Sequence, residues 1–137
     1  MALREQQKTG RLMQRGMSRR ERQIMDVIYR LGEAGVTEVR DHLPDPPTYS
    51  AVRALVGLLE GKGLLRHKRE GLRYVYFPTL DAKQARRSAL QHLIDTFFNG
   101  SPVEAVAAMI EMPESKLSQK DLHGLSSLIR KAHQEGR

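Results

Sequence analysis

The sequence predicts a mainly α-helical chain with one small β-hairpin, and three observations carry that prediction. Apolar residues repeat at a 3.6-residue period behind helix-capping residues along most of the chain. One segment, LRYVYF at 72–77, is instead rich in β-branched and aromatic residues and follows a Glu70-Gly71 turn. Prolines 44, 46, 47, 78 and 113 fall between the periodic segments, where chain breaks belong.

Taken in order, residues 1–17 lack a sustained apolar period and carry Arg4, Lys8, Arg11 and Arg15, which suggests a mobile or weakly helical basic arm. Ser18-Arg19-Arg20-Glu21 is a capping box that opens a helix with Ile24, Val27, Ile28 and Leu31 inward, stopped by Gly32. The turn Glu33-Ala34-Gly35 leads to Val36 and a second helix, Thr37 to Leu43, with Val39 and Leu43 inward. The run Pro44-Asp45-Pro46-Pro47 is a connecting loop. Thr48 caps a third helix, Tyr49 to about Gly61, whose inward stripe is Val52, Leu55, Val56 and Leu59. Leu64–Arg69 and Leu72–Phe77 form the hairpin, ended by Pro78. Beyond it the chain is helical again. Asp81 caps a helix to Phe98, and Asn99-Gly100 ends it. Ser101-Pro102-Val103-Glu104 opens the next, which runs to Met112. Leu117, Ser118 and Leu122 then fit a hydrophobic staple at a last helix start, continued by Leu125 and Ile129. The organisation is thus a basic arm (1–17), a three-helix-plus-hairpin domain (18–80) and a helical region (81–137).

At 137 residues the chain suits one domain and an appendage. It has no cysteine, so disulfides, thiolate metal sites and cysteine nucleophiles are excluded. No apolar run approaches a membrane span, and the basic N-terminus leads into no signal-like apolar stretch, so a cytoplasmic protein is expected. Residues 1–80 hold 15 Lys and Arg against 9 Asp and Glu, while residues 81–137 hold 8 against 7. Basic charge concentrated in the first part points to a polyanion partner there, with simple solubility as the competing reading.

Three helices and a hairpin within about 60 residues are the layout of a winged helix-turn-helix, whose third helix enters the major groove while the wing touches flanking backbone. Once the core stripe is subtracted, the third helix presents Thr48, Tyr49, Ser50, Ala51, Arg53, Ala54 and Gly57. Small residues permit close approach, and Arg53 and the hydroxyls supply donors for bases or phosphates. An ordinary solvated face would carry several Glu and Lys; here the acid is Glu60, in the last turn. The hairpin adds Arg66, Lys68, Arg69 and Arg73 as phosphate contacts, although such cations also discourage edge-to-edge pairing. The arm is a candidate for further contacts or a disordered tail.

The run from Ser18 to Pro78 resembles the penicillinase-repressor (BlaI/MecI-like) family of winged-helix regulators. The A-V-R-x-L-V-x-x-L-x-x-K-G stretch from Ala51 and the G-x-R-Y-V-Y-x-P wing from Gly71 carry the likeness, which extends through FFNGS to the LSQKDLHGLSSLIRK tail, roughly residues 17 to 131. The resemblance implies a bacterial, homodimeric repressor of palindromic operators, with DNA contacts from the third helix and wing and dimerisation through the C-terminal helices. Their apolar faces comprise Leu90, Leu93, Ile94, Phe97, Val106, Ile110, Leu122, Leu125 and Ile129. It also implies a β-lactam or cell-envelope stress response and an inactivating protease as partner. Two departures bear on induction. Gln23 and Tyr29 stand where relatives carry tryptophans in the first helix, and Ala108-Met109 stands where they carry a cleaved Asn-Phe bond. The copper-sensing branch uses C-terminal cysteines, which are absent.

Other chemistry is thin. His42, His67, His92, His123 and His133 show no metal-binding spacing among themselves, and His92 with Asp95 offers two ligands, too few for a site. With no phosphate loop and no nucleophile elbow, neither an enzyme nor a cofactor is expected. Phe97, Phe98, Met109 and Met112 could line a ligand pocket, but such stripes are more often core or dimer contacts. Two alternatives to the dimeric repressor therefore stand: a small-molecule-responsive winged-helix regulator, and a winged-helix protein-interaction module without DNA binding.

Overall fold

The computed structural model describes residues 2–114 and 116–136, with the side chains of 2 and 12–15 excepted. Among the described residues, seven helices and two strands run in the order α1 (Ala2–Arg15), α2 (Arg19–Leu31), α3 (Val36–Asp41), α4 (Tyr49–Gly61), β1 (Leu65–Glu70), β2 (Arg73–Pro78), α5 (Ala82–Phe97), α6 (Pro102–Glu111) and α7 (Gln119–Gln134). The chain forms two compact units, Met1–His92 and Leu93–Arg137. The predicted fold class, mainly helical with one hairpin wing, is the fold found.

Local capping sets the helix starts of the first unit. Ser18 Oγ accepts from the Glu21 N–H at 3.2 Å, and the Glu21 carboxylate accepts from the Ser18 N–H at 3.0 Å, so both halves of the capping box are made. Thr48 Oγ1 accepts from the Ala51 N–H at 3.2 Å and fixes the start of α4 at Tyr49. The loop between α3 and α4 is pinned by two arginines. Arg20 donates to the carbonyls of Pro44 and Asp45, and Arg40 donates to that of Pro47 at 2.6 Å. Asp45 sits at φ 44°, a left-handed conformation that an aspartate tolerates better than most residues.

The core gathers around Ile24, Met25 and Ile28 of α2, Val39 of α3, and Val52, Val56 and Leu59 of α4. Leu64, Leu65, Tyr76 and Leu80 close it from the hairpin side. Each fully buried aliphatic side chain contributes about 1.5–3 kcal/mol relative to exposure, so these few residues carry most of the unit's stability. One expectation is corrected on α2: Leu31 is 40% exposed, because the buried face follows Glu21, Ile24, Met25, Val27 and Ile28 rather than continuing into the last turn. Leu55 is half-buried against the core.

The hairpin pairs Leu65 with Pro78 through to Glu70 with Arg73, leaving Gly71 and Leu72 as a two-residue loop. Gly71 stands at φ 63°, the first central position where such tight hairpin turns favour glycine. An isolated bridge between Ala34 and Tyr76, with bonds of 2.9 and 2.8 Å, fastens β2 to the α2–α3 turn. Tyr29 donates its hydroxyl to the Leu80 carbonyl at 2.6 Å. Burial, helped by the Asp81 carboxylate, pushes that hydroxyl's pKa up to about 12, so it remains a donor at any physiological pH.

Residues 2–15, expected as a mobile or weakly helical arm, form α1; Met1 and the Arg15 side chain lie outside the described residues. Gly10 is buried so close to α5 that a Cβ there would lie 2.7 Å from Ser88 Oγ. Just beyond α1, Lys62 Nζ donates to the Gly16 carbonyl at 2.8 Å.

In the second unit, Ser101 caps α6 through the Glu104 N–H at 3.2 Å, and Ser118 with Asp121 forms a capping box on α7. Neither α6 nor α7 contains a buried residue. Ile94 is buried within the single chain, while Phe97 and Ile129 are 73% and 65% exposed.

Candidate nucleic-acid interface

The buried stripe of α4 leaves its opposite face to solvent. Thr48, Tyr49, Ser50, Arg53, Ala54 and Gly57 are exposed, and Ala51 is half-buried. Along that face the first acid is Glu60, and its carboxylate is turned to His67 Nδ1 of β1 at 2.6 Å. Arg53 makes no ion pair or hydrogen bond among the described residues. The face therefore offers an uncompensated guanidinium, three hydroxyls and small side chains, with the Thr48 hydroxyl also capping the helix.

Alternation along the hairpin gives its two faces different work. His67 and Arg69 share one face with Tyr74 and Tyr76. His67 stacks on Tyr74 with ring centres 4.4 Å apart, and the Arg69 guanidinium lies over the same ring at 5.9 Å. Burial, with Glu60 nearby, holds the Tyr76 hydroxyl above its ordinary pKa. The Glu60–His67 contact ties this face directly to α4.

The other face carries Arg66, Lys68, Glu70 and Arg73, and here the structure adds partners that the sequence reading missed. Lys68 pairs with Glu33 at 3.1 Å and Glu70 at 3.7 Å. Arg73 pairs with Glu38 at 2.8 Å and Glu70 at 3.8 Å. The Gly35 N–H and Arg73 together hold the Glu38 carboxyl below its ordinary range, and hydrogen bonding to Glu33 raises Lys68. Two of the four expected phosphate contacts thus already brace the wing against the α2–α3 segment. All are solvent-exposed pairs, weakened by water and screened by salt, so an arriving phosphate can compete for them. Arg66 and Arg69 have no ion-pair partner among the described residues.

A cleft lined by Arg19, Arg20, Gln23, Pro44 and Asp45 lies at the start of α2. Arg20 is committed there to the loop carbonyls and to Gln23, while Arg19 makes no bond among the described residues. Charge counting alone could not separate a structural arginine such as Arg20 from a free one.

Among the described residues no cluster of three or more His, Asp or Glu side chains could hold a metal, and no helix is long and apolar enough to cross a membrane. Comparison with known proteins agrees with the architecture. Residues 17–131 match the family model described as penicillinase repressor. An uncharacterized 16.5 kDa protein of Latilactobacillus sakei is 28% identical over 111 residues, covering 80% of this chain and 75% of its own length. The penicillinase repressor of Bacillus licheniformis is 25% identical over 111 residues, covering 80% and 85% respectively. With its helices, its wing and the match from Met17 to Lys131, this chain belongs to the penicillinase repressor family.

Proposed function

We propose that this family member is a DNA-binding transcriptional repressor that acts as a homodimer on a palindromic operator. One observation carries the reading: α4 presents a face bearing Ser50, Arg53 and Ala54 that is free of acids until Glu60 in its last turn, beside a wing rich in cations. In this arrangement α4 enters the major groove, and Ser50, Ala51 and Arg53 lie nearest the base edges. Thr48, Tyr49, Ala54 and the wing residues Arg66, Lys68, Arg69 and Arg73 line the flanking backbone. Residues 18–80 form the reading head, and residues 81–137 join two such heads.

Exposed apolar residues on α5–α7 support the dimer. Leu90, Leu93, Phe97, Val106, Ile110, Leu122 and Ile129 are each at least 39% exposed in the single chain, and Leu125 is half-buried. Fewer than 60 residues that bury so little of their own surface need cover, and a second copy about a two-fold axis is the simplest source. For the signal we take β-lactam or cell-envelope stress, which family membership favours. Relief by a protease acting at Ala108-Met109 would require unwinding α6, since both residues lie within that helix. An electrophoretic shift with the protein's own promoter, with and without competitor DNA, tests the proposal. A specific shift that survives competitor is expected; equal loss to any duplex, or no shift, would overturn it.

A further inference from the structure

We propose that Leu72, at the tip of the wing, is an apolar wedge that enters the minor groove of DNA beside the half-site. The proposal rests on the DNA-binding reading and names a contact that reading does not assign. Leu72 is 99% exposed, so nothing in its own chain covers it. A lone exposed leucine is ordinary on a protein surface, but this one is presented on a braced arm. The loop is two residues long and closed by the Glu70–Arg73 pair. On one face the hairpin is tied to Glu33 and Glu38 through Lys68 and Arg73, and on the other to Glu60 through His67. Insertion would therefore cost little ordering of the loop.

Charge around the tip fits the same partner. Glu70, the wing's one acid, is drawn back by Lys68 and Arg73. Arg69 keeps an uncompensated guanidinium one turn of pleat away, held over Tyr74. An apolar tip between cations suits the minor groove, where leucine and similar side chains part base steps while arginines meet the phosphates. An anionic bilayer would share the charge preference, but Glu60 and His67 fasten this arm to the groove-facing helix.

The test compares wild type with Leu72→Ser, Leu72→Met and Arg69→Ala on a duplex carrying the operator and its flanks. A 2-aminopurine in each flank reports unstacking. Leu72→Ser should fold normally by circular dichroism, bind about tenfold more weakly, and lose the 2-aminopurine signal. Its salt dependence should stay unchanged, because the lost contact carries no charge, whereas Arg69→Ala should lower the log–log slope by about 0.9. Leu72→Met should retain most of the affinity and signal. Wild-type affinity and signal in Leu72→Ser would overturn the wedge alone. So would a Leu72 dependence seen on anionic vesicles but not on DNA. A wild-type chain that binds no duplex would overturn the DNA-binding reading and the wedge together.

Discussion

Replacing Glu21 by Gln should destabilise the first unit in a way that depends on pH. Glu21 is 3% exposed, and its two carboxylate oxygens have different partners: Oε1 accepts from the Ser18 N–H, and Oε2 accepts from Lys62 Nζ at 2.7 Å. Lys62 reaches on to the Gly16 carbonyl, so one ammonium joins the end of α4 to the start of α2 and to the segment after α1. Glutamine can still accept from Ser18 but turns an NH2 toward the ammonium. A charge-assisted bond to a buried group is worth about 1.5–3 kcal/mol. Breaking a fully buried pair costs more, about 3–5 kcal/mol, but the Lys62 side chain is 30% exposed and can turn to water. A loss of about 2 kcal/mol follows, or roughly 10 °C in melting temperature for a unit of this size. Burial alone would raise the Glu21 carboxyl; Lys62 and Ser18 outweigh it and hold the pKa below the ordinary 4.5. A depressed carboxylate adds stability that is present in full above its unfolded pKa and lost as pH falls through the folded one. The gap between wild type and Glu21→Gln should therefore be complete at neutral pH and shrink below about pH 4.5. Thermal melts from pH 7 to 3 measure it. A gap that stays constant across that range would refute the charge argument and leave only a packing defect.

Further outcomes concern DNA binding and assembly. Arg66→Ala should lower the salt slope of operator binding by about 0.9, whereas Lys68→Ala and Arg73→Ala should lower it by less, because Glu33 and Glu38 already neutralise those cations. Fluorescence anisotropy across a salt series checks this, and equal slopes for all three variants would mean that the ion pairs open on binding. Arg53→Ala should cost about 1–3 kcal/mol of discrimination between operator variants if its guanidinium reads a base. Parallel loss of specific and non-specific affinity would make it a phosphate clamp instead. Leu93→Asp with Ile129→Asp should yield monomers by analytical ultracentrifugation, with a folded first unit and severely reduced operator affinity. A wild type already monomeric at micromolar concentration while binding tightly would contradict the dimer.

What the sequence revealed and what it withheld divide by range of interaction. Caps are written within one turn of chain, so Ser18 with Glu21 and Thr48 ahead of Tyr49 were legible, and α4 begins where they put it. The hairpin was legible for the same reason, since its two-residue loop joins adjacent segments, although that loop is Gly71-Leu72, one residue on from the expected Glu70-Gly71 turn. Beyond the nearby Glu70, Lys68 and Arg73 pair with Glu33 and Glu38, which lie 35 residues upstream, and no local pattern pairs them. Counting wing cations without Glu33 and Glu38 therefore overstated the free charge. Glu21 illustrates the same limit from the other side. Its capping role is local and was plain, but its burial against Lys62, 41 residues away, makes it a core residue as well. For the N-terminal arm the local pattern supports no more than a mobile or weakly helical segment, because the contacts seen there, Ser88 beside Gly10 and Lys62 at Gly16 just after α1, are also remote. Function follows the legible part more closely than stability does. The solvent-facing side of α4 is defined by what remains when the core stripe is removed, and that subtraction needs only the 3.6-residue period. Which cations on the wing are free to meet phosphate depends on tertiary pairing, and only the folded chain separates Arg66 and Arg69 from Lys68 and Arg73.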